Sequence, residues 1–553
     1  MSASKLQESD EVRITHSLHL KEKNVVLERR KTVFQGLQNL KIDCSKDKVS
    51  NIALLGSGGG QRAMVGLLGS LVELDKAGLL DCILYLSGVS GSTWCMASLY
   101  KEPNWSTKLE TVKDKIIKRL NGPAVSWGDA YDKLTKYYKK DNFSLTDVWA
   151  ALVVTTYVKE IDECKLSEQQ DQHSKDPFPI FTVIDKQCKQ RKNEKDSWFE
   201  ISSHEAGYSL TGAFVRTSSF SSQFDKGSKK KPQDEMDMLY LQALCGSALA
   251  DKDKILEFLW KKIKDFFEHV SHLGMFEQMC KDPKAPSVEK CYQVLMDLAD
   301  MNLCVLNGKD PSDLDQSIRT ILKELGGGKQ QLILPIEKLN LADKQAAKLY
   351  MKQYTEAVCK CLGVWFSFWP FDCWMSICTC MTQWIWGRNY NFLHNMKDKA
   401  VPAALQENEK RDYMDAGLLL NSPYFSVLRE ERDVDLIISL DFSDGDPFMT
   451  VREAAKMCKK QNIPFPEVNI PREDVQRPKD FYVFKGPNAP SVIHIPLFNV
   501  VNCGGAFENW RNKYRTFQGS YSAEMITDLM EVAGKNISNN IEKIKQQIQA
   551  VVG

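Results

Sequence analysis

Two apolar runs near the start of the chain each lead through small residues into a helical pattern. The first, "VSNIALLGSGGG" from Val49, predicts a buried strand that enters a glycine loop, and helical spacing follows at Met64, Leu67, Leu68, Leu71 and Leu74. After Gly78 ends that helix, the run Cys82 to Leu86 predicts a second strand and Gly91 to Leu99 a second helix. Strands alternating with helices are typical of parallel sheets. The sequence therefore predicts an α/β fold.

Further strand-like runs lie on both sides of a different middle region. They are "FPIFTVID" from Phe178, "VDLIISLDFS" from Val434, "DFYVFKG" from Asp480 and "SVIHIPLF" from Ser491. The middle region, about 226–399, holds a basic loop, amphipathic helices, a glycine linker and an aromatic, cysteine-rich run. We expect a charged N-terminal lead-in over 1–48, an α/β catalytic domain over 49–545, and a cap or lid inserted into it at about 226–399.

Charge and cysteine content exclude several classes of protein. Lys and Arg total 73 against 72 for Asp and Glu, and the resulting net charge of +1 argues against a long nucleic-acid-binding face. The 16 cysteines in 553 residues are too dilute for a disulfide scaffold, and the first 30 residues hold no apolar signal segment. Neither terminus carries a lipidation motif. We expect a cytosolic protein with reduced thiols.

Ser90 stands on the turn between the second predicted strand and helix, in "GVSGSTW". A serine on such a turn is exposed at a helix N-terminus, whose dipole and free N–H groups favour developing negative charge. Gly88 and Ser92 must be small there, because strand and helix nearly touch. A plain turn of small residues has the same pattern, and hydrolases commonly have glycine where Ser92 stands. The turn makes Ser90 a candidate nucleophile.

The glycine loop "GSGGGQRAM" offers backbone N–H groups to an anion. As a dinucleotide fingerprint it fails at the third glycine, where Gln61 stands, and as a phosphate loop it lacks the Gly-Lys-Ser/Thr ending. An oxyanion hole for Ser90 fits better. Gly58 and Ser90 are about one strand–helix–strand unit apart, so both loops should emerge at the same edge of the sheet.

The base that would activate Ser90 is harder to find. Beyond Asp415 the only histidine is His494, and its place in the alternating run "SVIHIPLF" favours a core histidine over a catalytic base. A carboxylate can serve instead if it is shielded from water, because desolvation raises its basicity. Asp415 in "YMDAGLLLNSPY" is the candidate, although Asp-x-Gly alone is more often a turn.

Three segments in this order, "GSGGGQRAM", "GVSGSTW" and "MDAGLLLNSPY", resemble the signature segments of the cytosolic (group IV) phospholipase A2 family, which is related to the patatins. The resemblance runs from about residue 50 to 535 through "DPFPIFTVID", "WFEISSHEAGYSLTGAF", "LCGSALA", "WGRNYNFL", "VDLIISLDFSDGDPF" and "IPFPEV". It implies a central mixed, largely parallel sheet flanked by helices. The short stretch before the first strand leaves no room for a calcium-binding C2 domain, which resembles the gamma subtype.

The resemblance also implies an activity and its residues. Ser90 matches the nucleophile, Asp415 the base, and Gly59 and Gly60 the oxyanion donors of a Ser–Asp dyad that needs no histidine, metal or other cofactor. The implied reaction is calcium-independent hydrolysis of the sn-2 ester of glycerophospholipids, with lysophospholipids as further substrates. A catalytically silent lipid-binding or scaffolding protein on the same fold is the alternative, and a nucleotide-binding protein comes third.

Two arginines and one glutamine complete the implied site. Arg62 matches the arginine that holds the substrate phosphate, and Arg432 falls where the family often has an arginine near the site mouth. Gln61 occupies a position that is aromatic in some members, which could alter the acyl pocket.

Membrane contact is the remaining expectation. The tryptophan-rich run, defined here as Cys361 to Trp386, carries five of the twelve tryptophans but is interrupted by Pro370 and Asp372. An uninterrupted apolar stretch of about 10 to 14 residues is too short to span a bilayer. Both a cap core and insertion at a membrane interface fit the pattern, since tryptophan favours the headgroup boundary. The expected partner is thus a phospholipid membrane surface, with the protein peripherally associated, and not a nucleic acid.

Overall fold

The computed structural model describes residues 12–247, 252–271, 285–326, 334–367 and 369–552. Within them the chain forms two compact units. The first unit contains the described residues up to 123, from 157 to 248, and from 389 onward. The second contains 124–156 and the described part of 249–388.

The strands, in chain order, are β1 Val12–Ile14, β2 Ile52–Gly56, β3 Tyr85–Gly88, β4 Phe178–Asp185, β5 Trp198–Ile201, β6 Glu205–Tyr208, β7 Ala213–Arg216, β8 Gln223–Asp225, β9 Ser228–Lys231, β10 Arg388–Tyr390, β11 Lys410–Asp415, β12 Leu436–Asp441, β13 Tyr482–Phe484 and β14 Ser491–Pro496. The main sheet has the order β1-β7-β6-β5-β4-β3-β2-β12-β14-β13, and β11 also pairs with β4. The five central strands of this sheet are parallel, namely β4, β3, β2, β12 and β14. The pairs on either side of them, β4 with β5 and β14 with β13, are antiparallel. The sheet is therefore mixed with a parallel centre, as predicted.

The helices, in chain order, are α1 Leu20–Asn39, α2 Gln61–Lys76, α3 Gly91–Tyr100, α4 Leu109–Leu120, α5 Trp127–Tyr138, α6 Leu145–Trp149, α7 Thr155–Val158, α8 Lys186–Gln190, α9 Met238–Cys245, α10 Lys252–Ser271, α11 Ala285–Leu306, α12 Ser312–Leu325, α13 Lys344–Gly363, α14 Phe371–Gln383, α15 Ala403–Gln406, α16 Tyr424–Val427, α17 Met449–Gln461, α18 Arg472–Gln476, α19 Phe507–Lys513, α20 Ala523–Ser538 and α21 Ile541–Val551. A π-helical turn, Ala150–Val154, joins α6 to α7.

The central strands are apolar because both faces of the sheet are covered. Every residue of β2, β3 and β12 is buried, which explains their near-continuous hydrophobic sequence. The second strand begins at Tyr85 rather than at the predicted Cys82, which lies in a short 3₁₀ turn. β2 ends at Gly56 and β3 at Gly88, and these two residues are paired in the parallel register. The loops that follow therefore emerge at the same edge of the sheet, as predicted.

The N-terminal segment, expected as a charged lead-in, contributes a strand and a helix to the first unit. β1 pairs with β7 in the main sheet, and α1 contributes Arg29, which is fully buried. The Arg29 guanidinium donates hydrogen bonds to the carbonyl oxygens of Ile83 (2.9 Å) and Leu80 (2.7 Å). These contacts join residues about fifty positions apart, so the local charge content of the lead-in does not reveal them.

The second unit also departs from the predicted insertion at 226–399. It draws on a second stretch, 124–156, which supplies α5 and α6, while 226–248 and 389–399 belong to the first unit. Helices packed on one another make up most of this unit. Changes of composition along the chain indicated one continuous insertion, because composition does not reveal contacts between distant segments.

The tryptophan-rich run has a buried end and a partly exposed start. Trp374 is 1% exposed and its ring lies 3.8 Å from that of Phe267, and Trp386 is 2% exposed. These tryptophans are core residues of the second unit. Trp365 is half-buried beside Val364, which is 76% exposed. Trp369 and Trp384 are half-buried as well, so contact with an interface fits Val364 and these three tryptophans but not Trp374 or Trp386.

No helix in the described ranges is both long and apolar enough to cross a membrane. Every cysteine in those ranges is a free thiol.

Candidate active site

Ser90 lies directly after β3 and caps the N-terminus of α3. Its backbone, at φ 53° and ψ −124°, occupies a region that residues with a side chain rarely adopt. This conformation turns the chain sharply from strand to helix, as the sequence predicted for a nucleophile elbow. The Ser90 side chain therefore stands where the helix dipole and the first N–H groups of α3 favour negative charge.

The residues around this turn are small because strand and helix touch. A methyl group on Gly56 would lie 2.5 Å from Oγ of Ser92, and one on Gly88 would lie 2.7 Å from Sδ of Met96. Ser92, where glycine is common, donates a hydrogen bond of 2.6 Å to the carbonyl of Ser57. Its hydroxyl thereby ties α3 to the glycine loop, so this departure from the usual pattern fits the site.

The glycine loop packs against the Ser90 turn. A methyl group on Gly58 would lie 2.9 Å from Cβ of Ser90, and one on Gly91 would lie 1.8 Å from the carbonyl oxygen of Gly60. Gly60 itself has φ 57° and ψ −135°, which glycine adopts without strain. Within the described ranges, the N–H groups of Gly59 and Gly60 have no hydrogen-bond acceptor. Two free donors thus stand beside the serine.

Asp415 ends β11 and is fully buried. β3 and β11 both lie along one edge of β4, since β5 occupies the other edge from Phe181 to Ile184. Gly88 pairs with Phe181 and Asp415 with Val183. The ends of β3 and β11 therefore point toward each other and are separated by two residue steps along β4. At about 3.3 Å per residue that gap is roughly 7 Å. The topology thus brings Asp415 to the loop that carries Ser90.

Asn421, in the segment "LLLNSPY", links the glycine loop to the aspartate turn. Its side-chain Nδ2 donates to the carbonyl of Gly58 (3.1 Å) and to Oγ of Ser443 (2.8 Å). Its backbone carbonyl accepts from the N–H of Gly58 (3.1 Å). A methyl group on Gly417 would lie 2.8 Å from its Oδ1, and Gly417 donates to Oδ1 of Asp415 (2.7 Å). Sequence reasoning missed this residue, although it lies inside a recognised segment.

A buried cysteine, Cys245, also neighbours the aspartate. Burial raises the pKa of the Cys245 thiol well above its usual value, and the charge of Asp415 raises that pKa further. Thr93, on the first turn of α3, is its hydrogen-bond partner. The thiol therefore stays protonated beside Asp415. Apart from the resemblance of "LCGSALA", no local pattern predicts that Cys245 neighbours Asp415.

Arg62 is 2% exposed and lies next to the glycine loop. Its Nε donates to the carbonyl of Phe442 (2.7 Å), and its Nη1 donates to the carbonyl of Tyr514 (2.7 Å) and to Oγ1 of Thr516 (3.3 Å). Nη2 is buried without an acceptor in the described part of the chain, and a methyl group on Gly59 would lie 2.9 Å from it. Burial lowers the pKa of Arg62. One donor of a buried cation is thus left for an anion.

Gln61 fixes a neighbouring segment rather than standing open. Its Nε2 donates to the carbonyl of Gly519 (3.2 Å), and its Oε1 accepts from the N–H of Tyr521 (3.0 Å). Together with Arg62, it anchors the 514–521 segment against the start of α2.

Arg432 is not at the mouth of this site, contrary to the sequence-based expectation. Its side chain, 1% exposed, forms buried ion pairs with Glu22 (2.9 Å) and Glu200 (2.7 Å). It precedes β12, whereas Ser90 follows β3, and both strands run parallel to β2. Arg432 therefore lies at the opposite edge of the sheet, where it holds α1 against β5.

His494 is a core histidine, as its strand pattern predicted. It is fully buried on β14, and its Nε2 lies 2.7 Å from the carbonyl oxygen of Pro447. Burial lowers the pKa of His494. Its row of the sheet runs through Ser439 and Leu55 to Ser87, so three strand spacings, about 14 Å, separate it from the strand of Ser90.

Known proteins share this arrangement of motifs. Residues 52–251 match the family model described as the lysophospholipase catalytic domain. The chain is 32% identical to mouse cytosolic phospholipase A2 gamma over 96% of this chain and 91% of that protein. It is 31% identical to human cytosolic phospholipase A2 gamma over 99% of this chain and 97% of that protein.

A solved structure has the same fold. The human group IVD cytosolic phospholipase A2 superposes with a TM-score of 0.64 at 20% identity, and the match covers 99% of this chain. This chain spans 66% of the length of that protein. With identities above 30% over nearly the whole length of two relatives, the chain belongs to the cytosolic (group IV) phospholipase A2 family, is gamma-like, and is a phospholipase A2 that hydrolyses phospholipid esters.

Proposed function

We propose that this phospholipase cleaves the sn-2 fatty-acyl ester of glycerophospholipids through a Ser90–Asp415 dyad and without calcium. The observation that carries the proposal is the convergence of three separate loops. Gly58 approaches Cβ of Ser90 so closely that a methyl group on it would lie 2.9 Å away. In the β4 register, only Thr182 lies between the residues that pair with the ends of β3 and β11. Asn421 bonds the glycine loop from the segment that carries Asp415.

The reaction follows from these groups. Asp415 takes the proton of the Ser90 hydroxyl as Oγ attacks the ester carbonyl carbon. The carbonyl oxygen becomes an oxyanion that accepts from the N–H groups of Gly59 and Gly60. The ester C–O bond then breaks, and the lysophospholipid leaves with the proton from Asp415. A water molecule, deprotonated by the same carboxylate, attacks the acyl-serine and releases the fatty acid.

Arg62 has the role of holding the substrate phosphate. Its unpartnered Nη2 and its position beside Gly59 support this role, because a guanidinium donates charge-assisted hydrogen bonds to phosphate oxygens. Within the described ranges no carboxylate forms an ion pair with it. Lysophospholipids carry the same phosphate and one ester, and they are included as substrates.

The phospholipase works at the surface of a phospholipid membrane, as a peripherally associated cytosolic protein that binds no nucleic acid. A net charge of +1 gives little electrostatic attraction to anionic lipid or nucleic acid. Attachment must then come from exposed apolar side chains. Val364 is 76% exposed next to the half-buried Trp365, at the start of the tryptophan-rich run. An aromatic residue in this position suits the headgroup boundary.

Lipid mass spectrometry tests the reaction. The chain is incubated with mixed phospholipid vesicles whose sn-1 and sn-2 chains differ, in excess calcium chelator. Free sn-2 fatty acid and 1-acyl lysophospholipid should appear, and Ser90→Ala should abolish both. Ser87→Ala is the matched control, because it removes a buried hydroxyl from the strand that precedes Ser90 and should stay active. Accumulation of 2-acyl lysophospholipid, dependence on calcium, or activity of Ser90→Ala would each contradict the proposal, whereas an sn-1 chain released later from the 1-acyl lysophospholipid would not.

A further inference from the structure

A cavity of about 360 Å³ lies within the second unit, between α10, α11, α13 and α14. Its floor is apolar and well packed: Trp260 is 1%, Met381 3% and Val305 7% exposed. Its size falls in the range of small-molecule sites in proteins. None of the residues proposed for catalysis lines it.

Three lysines border this cavity in one row. Lys344, Lys348 and Lys352 follow one another at four-residue intervals along α13, so they share one face of that helix. Lys348 pairs with Asp253, whereas Lys344 and Lys352 form no ion pair within the described ranges. Like charges at this spacing repel each other, and Lys344 also faces the positive end of the helix dipole. Helix stability therefore does not account for the row.

An exposed leucine stands at the same edge. Leu349 lines the cavity and is 57% exposed, although it lies on a helix with many buried apolar positions. The carboxylates of Asp253 and Glu257 also line the cavity, but they are paired with Lys348 and Lys261. With Lys344 and Lys352 at its border, an apolar floor and an exposed leucine, the cavity is complementary to an amphiphile with one negative charge. Burial of an alkyl chain in such a cavity is favourable because it removes apolar surface from water.

We propose that this cavity binds the anion of a single-chain fatty acid. The alkyl chain packs against Trp260, Met381 and Val305, and the carboxylate lies at Lys344 and Lys352. A single alkyl chain suits a cavity of this volume, whereas a phospholipid with two acyl chains and a glycerol headgroup exceeds it. The site does not depend on the proposed dyad, because it shares no residue with it.

Isothermal titration calorimetry with sodium dodecanoate, kept below its micellar concentration, tests the site. The double variant K344E/K352E should bind dodecanoate at least tenfold more weakly than the wild type. The control K323E/K338E changes the same net charge at two exposed lysines outside the cavity and should bind normally. Thr382→Phe, which fills the cavity without a change of charge, should also weaken binding. Circular dichroism verifies that each variant is folded.

Three results would overturn this inference. The first is equal affinity for dodecanoate in K344E/K352E and the wild type. The second is that the wild type binds dodecyltrimethylammonium as tightly as dodecanoate, which would show that the cavity does not select ligands by charge. The third is that K344E/K352E binds dodecanoate normally and loses binding only to phosphatidylserine vesicles, which would assign the lysines to a membrane surface. Hydrolysis of a soluble ester is measured in parallel and should not change, so failure of the dyad is distinguishable from failure of this site.

Discussion

Replacing Asn421 by Ala should impair catalysis more than it impairs folding. The substitution removes the hydrogen bonds from Nδ2 to the carbonyl of Gly58 (3.1 Å) and to Oγ of Ser443 (2.8 Å). At about 1 kcal/mol for each bond, the free energy of unfolding should fall by about 2 kcal/mol. The backbone bond from Gly58 to Asn421 survives, so the glycine loop should loosen without being released.

The catalytic cost can be bounded from the oxyanion donors. Loss of one such donor costs about 10² to 10³ in kcat. A loosened loop should therefore cost between about tenfold and a hundredfold in kcat, with KM little changed because the substrate-binding residues stay in place. The assay is the hydrolysis of a soluble p-nitrophenyl ester, with urea unfolding measured on the same preparation.

Asn502→Ala is the matched control for this prediction. The Asn502 side chain also donates two hydrogen bonds, to the carbonyls of Leu497 and Val532, and contacts neither the glycine loop nor the aspartate turn through them. It should lose similar stability and keep its kcat. If Asn421→Ala loses no more kcat than this control, Asn421 only stabilises the fold and its positioning role is refuted.

Three further predictions follow from single contacts. Arg62→Lys should reduce hydrolysis of phospholipid more than hydrolysis of a neutral ester, because the unpartnered Nη2 is lost, and equal losses on the two substrates would remove Arg62 from the phosphate role. Burial alone would raise the pKa of Glu200, but Arg432 and Arg429 outweigh it and lower that pKa from 4.5 to about 2. The resulting stabilisation is complete above about pH 4.5 and is lost as the pH falls toward 2, so Arg432→Met should lower the unfolding free energy by about 3 to 5 kcal/mol at pH 7 and flatten its acid dependence in urea titrations. Because its thiol is buried and burial raises its pKa well above the usual value, Cys245 should resist iodoacetamide in the folded protein at pH 9, whereas the exposed Cys164 should react, as peptide mass spectrometry would show.

Local sequence predicted the parts of the site that lie at strand ends. The apolar runs before Gly58 and Ser90 give buried parallel strands, and parallel strands present their following loops at one edge. The need for small residues at Gly88 and Ser92 was also predictable locally, because a strand contacts the helix that directly follows it. Asp415 was reachable only through the family resemblance, because Asp-x-Gly by itself is an ordinary turn.

Contacts between distant segments were beyond local reasoning. Arg432 bonds Glu22 and Glu200, residues more than 200 positions away, so nothing near Arg432 revealed its ion pairs. The second unit joins 124–156 to the later segment, which composition alone did not show. Asn421 was missed for the same reason, since its partners Gly58 and Ser443 follow other strands.

The most direct test of the dyad is covalent labelling with an acyl-chain fluorophosphonate, which phosphonylates an activated serine and releases fluoride. Intact-protein and peptide mass spectrometry should show one adduct, on the peptide that contains Ser90. In Asp415→Asn the labelling rate should fall by at least about 10³-fold, while circular dichroism shows an unchanged fold, because the Ser90 hydroxyl loses its base. An adduct on another residue, or labelling of Asp415→Asn at the wild-type rate, would contradict the Ser90–Asp415 mechanism.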